Sequence, residues 1–173
     1  MHIVTERLVI REFDPGDWQD VLLYTSDPVV MKYMPEAVFT QETVKLFLAE
    51  NRGDQARKYA VMLKMEQQVI GHIVFHPWFG ELTYEIGWIF NSSYQNKGYA
   101  TEAARAVLQY GFEVLNIHRI IATCQPENTP SYRVMEKLGM RREGHFKQCI
   151  PQGDVWWDEY YYAMLRSEWE TMS

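Results

Sequence analysis

The run from Ala100 to Leu115 constrains the fold most, because its apolar residues recur three and four positions apart. The members of this stripe are Ala100, Ala103, Ala104, Val107, Leu108, Gly111 and Leu115. Such spacing predicts an amphipathic helix with one apolar face. Small residues in its first turns would let this helix lie close to a sheet. The chain is therefore expected to contain a sheet that this helix covers.

Extended runs on both sides of this helix predict the strands of that sheet. Alternating or short apolar runs between turn residues predict strands, and helical spacing predicts helices. The predicted strands are 3–13, 59–65, 69–77, 82–90, 118–124, 140–148 and 155–165, and the predicted helices are 17–24, 40–50, 99–115 and 130–138. The order β α α β β β α β α β β favours an α/β fold, a mixed sheet covered by helices. With no repeat and no linker, residues 1–173 are expected to form a single domain.

Charge and cysteine content argue against several classes of protein. A net charge of -6 and a pI of about 5.4 disfavour binding to a phosphate backbone, so nucleic acid is not an expected partner. Neither a signal-peptide h-region nor a long apolar run occurs, so we expect no membrane span and a cytoplasmic location. Cys124 and Cys149 are expected to be reduced core residues. The cysteines and histidines lack metal-ligand spacing, so no metal is expected.

The turn before the alanine-rich helix is almost entirely polar and reads YQNKGYATEA from Tyr94 to Ala103. The first N–H groups of a helix have no partners within it and carry the positive end of the helix dipole, which favours an anion. Gly98 permits close approach of the backbone, and Lys97 adds a positive charge. Neither GxxxxGK[ST] nor GxGxxG is present. A phosphate-binding loop and a simple strand-to-helix turn therefore both stay open on this pattern alone.

Four stretches of the chain, in order, resemble motifs of one enzyme family. QNKGYA (95–100) resembles a (Q/R)xxGx(G/A) pyrophosphate loop, and PENTPSYRVMEKLGMRREG (126–144) resembles the second core motif of the same family. TERLVIREF (5–13) and WWDEYYYAMLRSEW (156–169) are similar to the ends of one branch. The family is the GCN5-related N-acetyltransferases (GNAT), and the branch is RimJ/RimL-like, in which some members modify ribosomal-protein N-termini. The resemblance implies a twisted, mostly antiparallel mixed sheet of about seven strands, splayed between the fourth and fifth, with about four helices.

The resemblance also implies a reaction, in which acetyl-CoA donates an acetyl group directly to a primary amine within a ternary complex. A protein N-terminus is the favoured acceptor, on the branch resemblance alone. A small-molecule amine acetyltransferase and a catalytically silent acyl-CoA-binding module stay open as alternatives. The residues implied in acetyl-CoA binding are Trp88, Ile89, Phe90, Gln95, Asn96, Lys97, Gly98, Tyr99, Ala100, Thr101, Asn128, Ser131 and Arg133.

Glu85 is the one carboxylate in the interior of the predicted strand 82–90. An ammonium cannot attack a thioester, so a base must first take its proton. Glu85 is therefore our candidate general base, acting through a water, and a surface glutamate is the alternative interpretation. Gly87 predicts a bulge that would free N–H groups from Trp88 to Phe90.

The usual acid of the family is missing from this chain. Much of the family uses a tyrosine at the position of Met135, and methionine cannot donate a proton. The RimJ/RimL branch points instead to Ser131, whose hydroxyl could donate a hydrogen bond to the CoA sulfur. The resemblance gives Asn128 a bond to the pantetheine amide. Helix capping is the alternative for both Ser131 and Asn128.

Several aromatic residues and histidines have no assigned role in this reaction. Trp78 and Phe79 fall at a predicted hairpin tip, where contact with the acceptor or with a second subunit of a homodimer both stay open. His72 and His76 share one face of a strand, where they could border the substrate pocket, and partly buried strand histidines are the favoured interpretation. Five aromatic residues cluster near the C-terminus, and we expect them to lie partly in the core and partly in the wall of a substrate site or a subunit interface. They are Trp156, Trp157, Tyr160, Tyr161 and Tyr162.

Overall fold

The computed structural model describes residues 1–172. The chain divides into two compact units, each built from two segments. Unit one comprises Met1–His76 and Trp88–Val107, and unit two comprises Pro77–Gly87 and the chain from Leu108 onward. The strand Thr83–Phe90 passes from unit two into unit one at Gly87.

The secondary structure is an α/β arrangement, as predicted. The strands are β1 (Ile3–Val4), β2 (Leu8–Arg11), β3 (Lys58–Leu63), β4 (Val69–Pro77), β5 (Thr83–Phe90), β6 (Arg119–Cys124), β7 (Arg141–Gln152) and β8 (Val155–Leu165). The helices are α1 (Trp18–Thr25), α2 (Pro28–Met31), α3 (Gln41–Glu50), α4 (Tyr99–Gln109), α5 (Thr129–Lys137) and α6 (Arg166–Met172). Short 3₁₀ turns link several of these elements, and the π-helical segment Tyr110–Val114 follows α4.

The strands are hydrogen-bonded in the order β1-β2-β3-β4-β5-β6-β8-β7. β5 and β6 pair in parallel. The pairs β1–β2, β2–β3, β3–β4, β6–β8 and β7–β8 are antiparallel. The predicted mixed and mostly antiparallel sheet is therefore confirmed.

The numbers of elements differ slightly from the prediction of about seven strands and four helices. Over residues 1–172 there are eight strands and six α-helices. The predicted opening strand is interrupted by a bend around Thr5–Arg7, which leaves β1 and β2. The short helix α2 begins at Pro28, where the Asp27 side chain accepts a hydrogen bond from the Val29 N–H at 2.9 Å. Aspartate at the N-cap with proline at the next position is a strong local start signal.

Unit one has a core that is rich in aromatic side chains. Phe13 and Phe47 meet edge to face with ring centroids 5.4 Å apart, and Tyr24 is fully buried in the same cluster. Gly71 on β4 is required by close packing, because a Cβ there would lie 2.4 Å from the carbonyl oxygen of Ile89. A side chain at position 71 would therefore displace the end of β5.

Unit two contains the first half of β5 followed by β6, β8 and β7. Phe112 and Trp169 stack with ring centroids 5.8 Å apart, and both are buried. β7 is the edge strand and is mostly exposed along its length. Its pairing with β8 is irregular between Phe146 and Ile150. Cys149 lies in this irregular stretch and is exposed, so the prediction that it is a core residue was wrong.

Candidate functional site

The loop from Gln95 to Thr101, called here the donor loop, lies in unit one and leads into α4. Asn96 and Gly98 have φ values of 60° and 82°, both in the left-handed region. This backbone conformation turns the chain, and the Glu102 N–H then donates to the Gly98 carbonyl at 3.0 Å to begin the helix. The N–H groups of the first helical turn have no intrahelical acceptors. The loop therefore presents backbone N–H groups that can donate hydrogen bonds, together with the positive end of the helix dipole.

Side chains of this region brace the loop against neighbouring residues. The Gln95 side-chain amide donates to the Phe90 carbonyl at 3.3 Å. The Lys97 ammonium lies 5.2 Å from the centre of the Tyr94 ring. Residues 95–98 are exposed. The loop is thus exposed, while the side chains of Gln95 and Lys97 contact the residues just before it.

Glu85 lies within the paired part of β5. Its register partner on β6 is Ile121, and the parallel pairing runs from Thr83 to Glu85. The Thr123 hydroxyl donates to a Glu85 carboxylate oxygen at 3.5 Å, a long hydrogen bond. Glu85 is partly buried. The bulge expected at Gly87 stays a prediction.

The Thr123 side chain is also a hydrogen-bond donor for a second carboxylate, that of Glu159 on β8. Burial raises the pKa of Glu159, and a hydrogen bond from the Thr123 side chain opposes this effect. The pKa of Tyr161 is also raised, first by burial and then by the charges of Glu159 and Glu85. A threonine hydroxyl carries a single proton, so it can donate to only one carboxylate at a time. Strands β5, β6 and β8 therefore bring two carboxylates to one hydroxyl, and Tyr161 lies close enough to feel the charge of both.

A cavity of about 590 Å³ lies in unit two beside these groups. Thr83 borders it and shares a face of β5 with Glu85, since alternate residues of a strand point the same way. Tyr161 and Phe146 also border it, with ring centroids 4.8 Å apart. The remaining lining residues are Trp78, Phe79, Gly80, Arg119, Ile121, Glu143 and Gly144. Arg119 and Glu143 form an ion pair, so the cavity combines an aromatic wall with one charged edge.

The predicted second motif forms α5, with Asn128 at its N-cap position. The Asn128 side chain makes no capping hydrogen bond. Ser131 lies in the first turn of α5, close enough to the Cys124 thiol to affect its pKa. Burial raises the pKa of Cys124 to about 12, although Ser131 opposes the shift. Met135 is 1% exposed and belongs to the core.

The other predicted site residues have distinct surroundings. Arg133 is exposed and pairs with Glu136 at 2.9 Å on the surface of α5. Ile89 and Phe90 are buried in unit one, and Trp88 is partly buried. His72 is 2% exposed, with its Nδ1 atom 2.8 Å from the Tyr24 hydroxyl.

Sequence reasoning did not find Thr123 or Glu159. Thr123 lies outside the four stretches that resemble family motifs, and Glu159 lies within 156–169 but had no assigned role. The pairing of β6 with β5 and with β8 brings both residues near Glu85. Alternation along β8 was an available signal, because it places Glu159 and Tyr161 on one face.

Residues 1–172 contain no group of three or more His, Cys, Asp or Glu side chains placed to hold a metal ion. Among the same residues, no helix has the length and apolar character needed to cross a membrane.

Comparisons with known proteins identify the family. The profile described as "Acetyltransferase (GNAT) domain" matches residues 7–141. "Uncharacterized N-acetyltransferase YnaD" of Bacillus subtilis is 66% identical over 169 residues, which cover 98% of this chain and 99% of that protein. "[Ribosomal protein uS5]-alanine N-acetyltransferase" of Escherichia coli is 30% identical over 84 residues, covering 49% of this chain and 43% of that protein. A crystal structure of an acetyltransferase (GNAT family) from Bacillus anthracis matches with a TM-score of 0.94 at 62% identity, covering 97% of this chain and 100% of that one. This chain therefore belongs to the GNAT family of N-acetyltransferases and has RimJ/RimL-like relatives.

Proposed function

We propose that this protein transfers an acetyl group from acetyl-CoA to the N-terminal amine of a protein, by direct attack in a ternary complex. The observation that carries the proposal is the pair Glu85 and Glu159 around Thr123, beside a cavity with an aromatic wall. The donor loop holds the diphosphate of acetyl-CoA through backbone N–H groups, assisted by the other predicted CoA-binding residues. A relative that modifies the alanine of a ribosomal protein supports a protein acceptor.

Glu85 acts as the general base and Glu159 shares the proton with it through Thr123. A base that is to accept a proton near neutral pH benefits from a raised pKa. Burial raises the pKa of Glu159, and Thr123 links the Glu159 carboxylate to that of Glu85. One proton of the ammonium passes through a water to the carboxylates, and the neutral amine attacks the thioester carbonyl. The C–S bond then breaks, and the departing CoA thiolate takes the second proton that the nitrogen loses on becoming an amide.

Direct transfer is favoured over an acetylated cysteine. The nucleophilic form of cysteine is the thiolate, and burial raises the pKa of Cys124 to about 12. The pKa of Cys149 is also raised, first by burial and then by Glu159. Ser131, near Cys124, supplies a hydrogen bond to the departing CoA sulfur.

A small-molecule amine is the second candidate acceptor. The cavity volume of about 590 Å³ lies within the range usual for small-molecule sites. The buried Met135 keeps the silent acyl-CoA-binding module as a further alternative, because methionine provides no acid.

An acceptor panel separates these functions. Release of free CoA thiol is followed with peptides that carry free or blocked N-termini and with small amines. Turnover that requires a free peptide N-terminus supports the proposal, and turnover with small amines alone favours the second candidate. Tight CoA binding without turnover on any acceptor would identify the silent module.

The base is tested with Glu85→Gln, which we expect to lower kcat by about 10²- to 10⁴-fold. Glu81→Gln is the matched control, since Glu81 is an exposed carboxylate just before the same strand. An unchanged kcat and pH–rate profile in Glu85→Gln would rule out Glu85 as the base.

A further inference from the structure

The opening TERL motif meets the donor loop through the side chain of Glu102, which lies in the first turn of α4. The Thr5 hydroxyl donates to Glu102 Oε1 at 2.6 Å, and the Arg7 backbone N–H donates to the same oxygen at 3.0 Å. Arg7 Nε donates to Glu102 Oε2 at 2.6 Å. Both oxygens of this carboxylate are thus held by the bend between β1 and β2.

The Arg7 guanidinium also holds the donor loop itself. Arg7 Nη1 donates to the Lys97 carbonyl at 3.0 Å, and the guanidinium lies 4.4 Å from the centre of the Tyr99 ring. The contacts therefore fix the residues immediately before and after Gly98. Because a guanidinium is planar, two fixed nitrogens also fix the third.

The third nitrogen, Nη2, faces the glycine of the loop. A Cβ at position 98 would lie 3.4 Å from Arg7 Nη2. Within residues 1–172, this atom donates no hydrogen bond. Nη2 is therefore a charged hydrogen-bond donor held beside Gly98, in the exposed part of the loop.

Glu102 stays ionised in this arrangement. Burial on its own would raise the pKa of Glu102, but the hydrogen bonds from Thr5 and Arg7 and the Arg7 charge outweigh it, and the pKa lies below its ordinary value. An ionised carboxylate near a diphosphate would repel it unless a cation compensates. Arg7 supplies that cation.

We propose that Arg7 binds and positions acetyl-CoA, the acetyl donor of the reaction. Its Nε and Nη1 hold Glu102 and Lys97 in the anion-binding form of the loop, and its Nη2 donates to a diphosphate oxygen of CoA. This inference rests on the proposed use of acetyl-CoA, and it gives the TERL motif a role in donor binding.

Calorimetric titration with CoA tests the assignment in wild type, Arg7→Met, Arg7→Lys and the control Arg52→Met. We expect Arg7→Met to weaken CoA binding about 10- to 100-fold, as for loss of a charged hydrogen bond. Arg7→Lys should recover only part of the affinity, because lysine keeps the positive charge but lacks the planar guanidinium that bonds several acceptors at once. Arg52 is exposed, and its replacement should leave the affinity unchanged.

A truncated donor separates this role from a merely structural one. S-acetylpantetheine lacks the diphosphate, so Arg7→Met should change its kcat/KM less than about twofold. Equal losses with acetyl-CoA and S-acetylpantetheine, or unchanged CoA affinity, would overturn the assignment. CoA binding that depends on Arg7 without turnover on any amine would refute the proposed function and leave this inference standing.

Discussion

Stability should fall on acidification because His72 is buried in its neutral form. Burial, and secondarily the charge of Lys58, lowers the pKa of His72 to about 3. Below its ordinary pKa of about 6.5, the unfolded chain binds a proton that the folded chain rejects. The free energy of unfolding should therefore fall by about 1.4 kcal/mol per pH unit in this window, or about 2 kcal/mol between about pH 7.5 and about pH 5.

Urea unfolding at the two pH values measures this effect. The reference is the double variant Tyr24→Phe, His72→Phe, which replaces both hydrogen-bond partners with apolar rings of similar shape. The double variant should show a pH dependence smaller by about 2 kcal/mol, since all other titrating groups are shared. The same pH dependence in both proteins would refute the reasoning that His72 is held neutral.

Two further predictions concern packing and the carboxylates. Gly71→Ala should destabilise the protein by about 1–3 kcal/mol in urea unfolding, because its Cβ would meet the Ile89 carbonyl. Gly16→Ala, where nothing lies within 4 Å of the new Cβ, should change stability by less than about 0.5 kcal/mol, and equal effects would contradict the packing argument. Thr123→Val removes a bond that lowers the pKa of Glu159, so the acid limb of the pH–rate profile should move to higher pH. An unmoved limb would exclude Glu159 from the reaction.

Much of the fold follows from local patterns in the sequence. The predicted strand 155–165 coincides with β8, and the predicted helix 40–50 matches α3, where the Thr40 side chain accepts a hydrogen bond from the Thr43 N–H. These features depend on alternation and on side chains within a few residues of one another. The polar turn at Gly98 likewise has the left-handed backbone that glycine favours.

The features that escaped prediction depend on residues distant in sequence. Arg7 and Glu102 meet only because the bend after β1 lies beside the first turn of α4. Glu159 comes near Thr123 through the pairing of β6 with β8, and the residue pattern within either strand does not predict the register of that pairing. Cys149 was expected in the core, yet it lies at an irregular stretch of the edge strand β7.

Two-substrate kinetics tests direct transfer most directly. The initial rate is measured with acetyl-CoA varied at several fixed concentrations of a peptide with a free N-terminus. Direct attack in a ternary complex predicts double-reciprocal lines that intersect. Parallel lines, the pattern of a covalent acetyl-enzyme, would contradict the account.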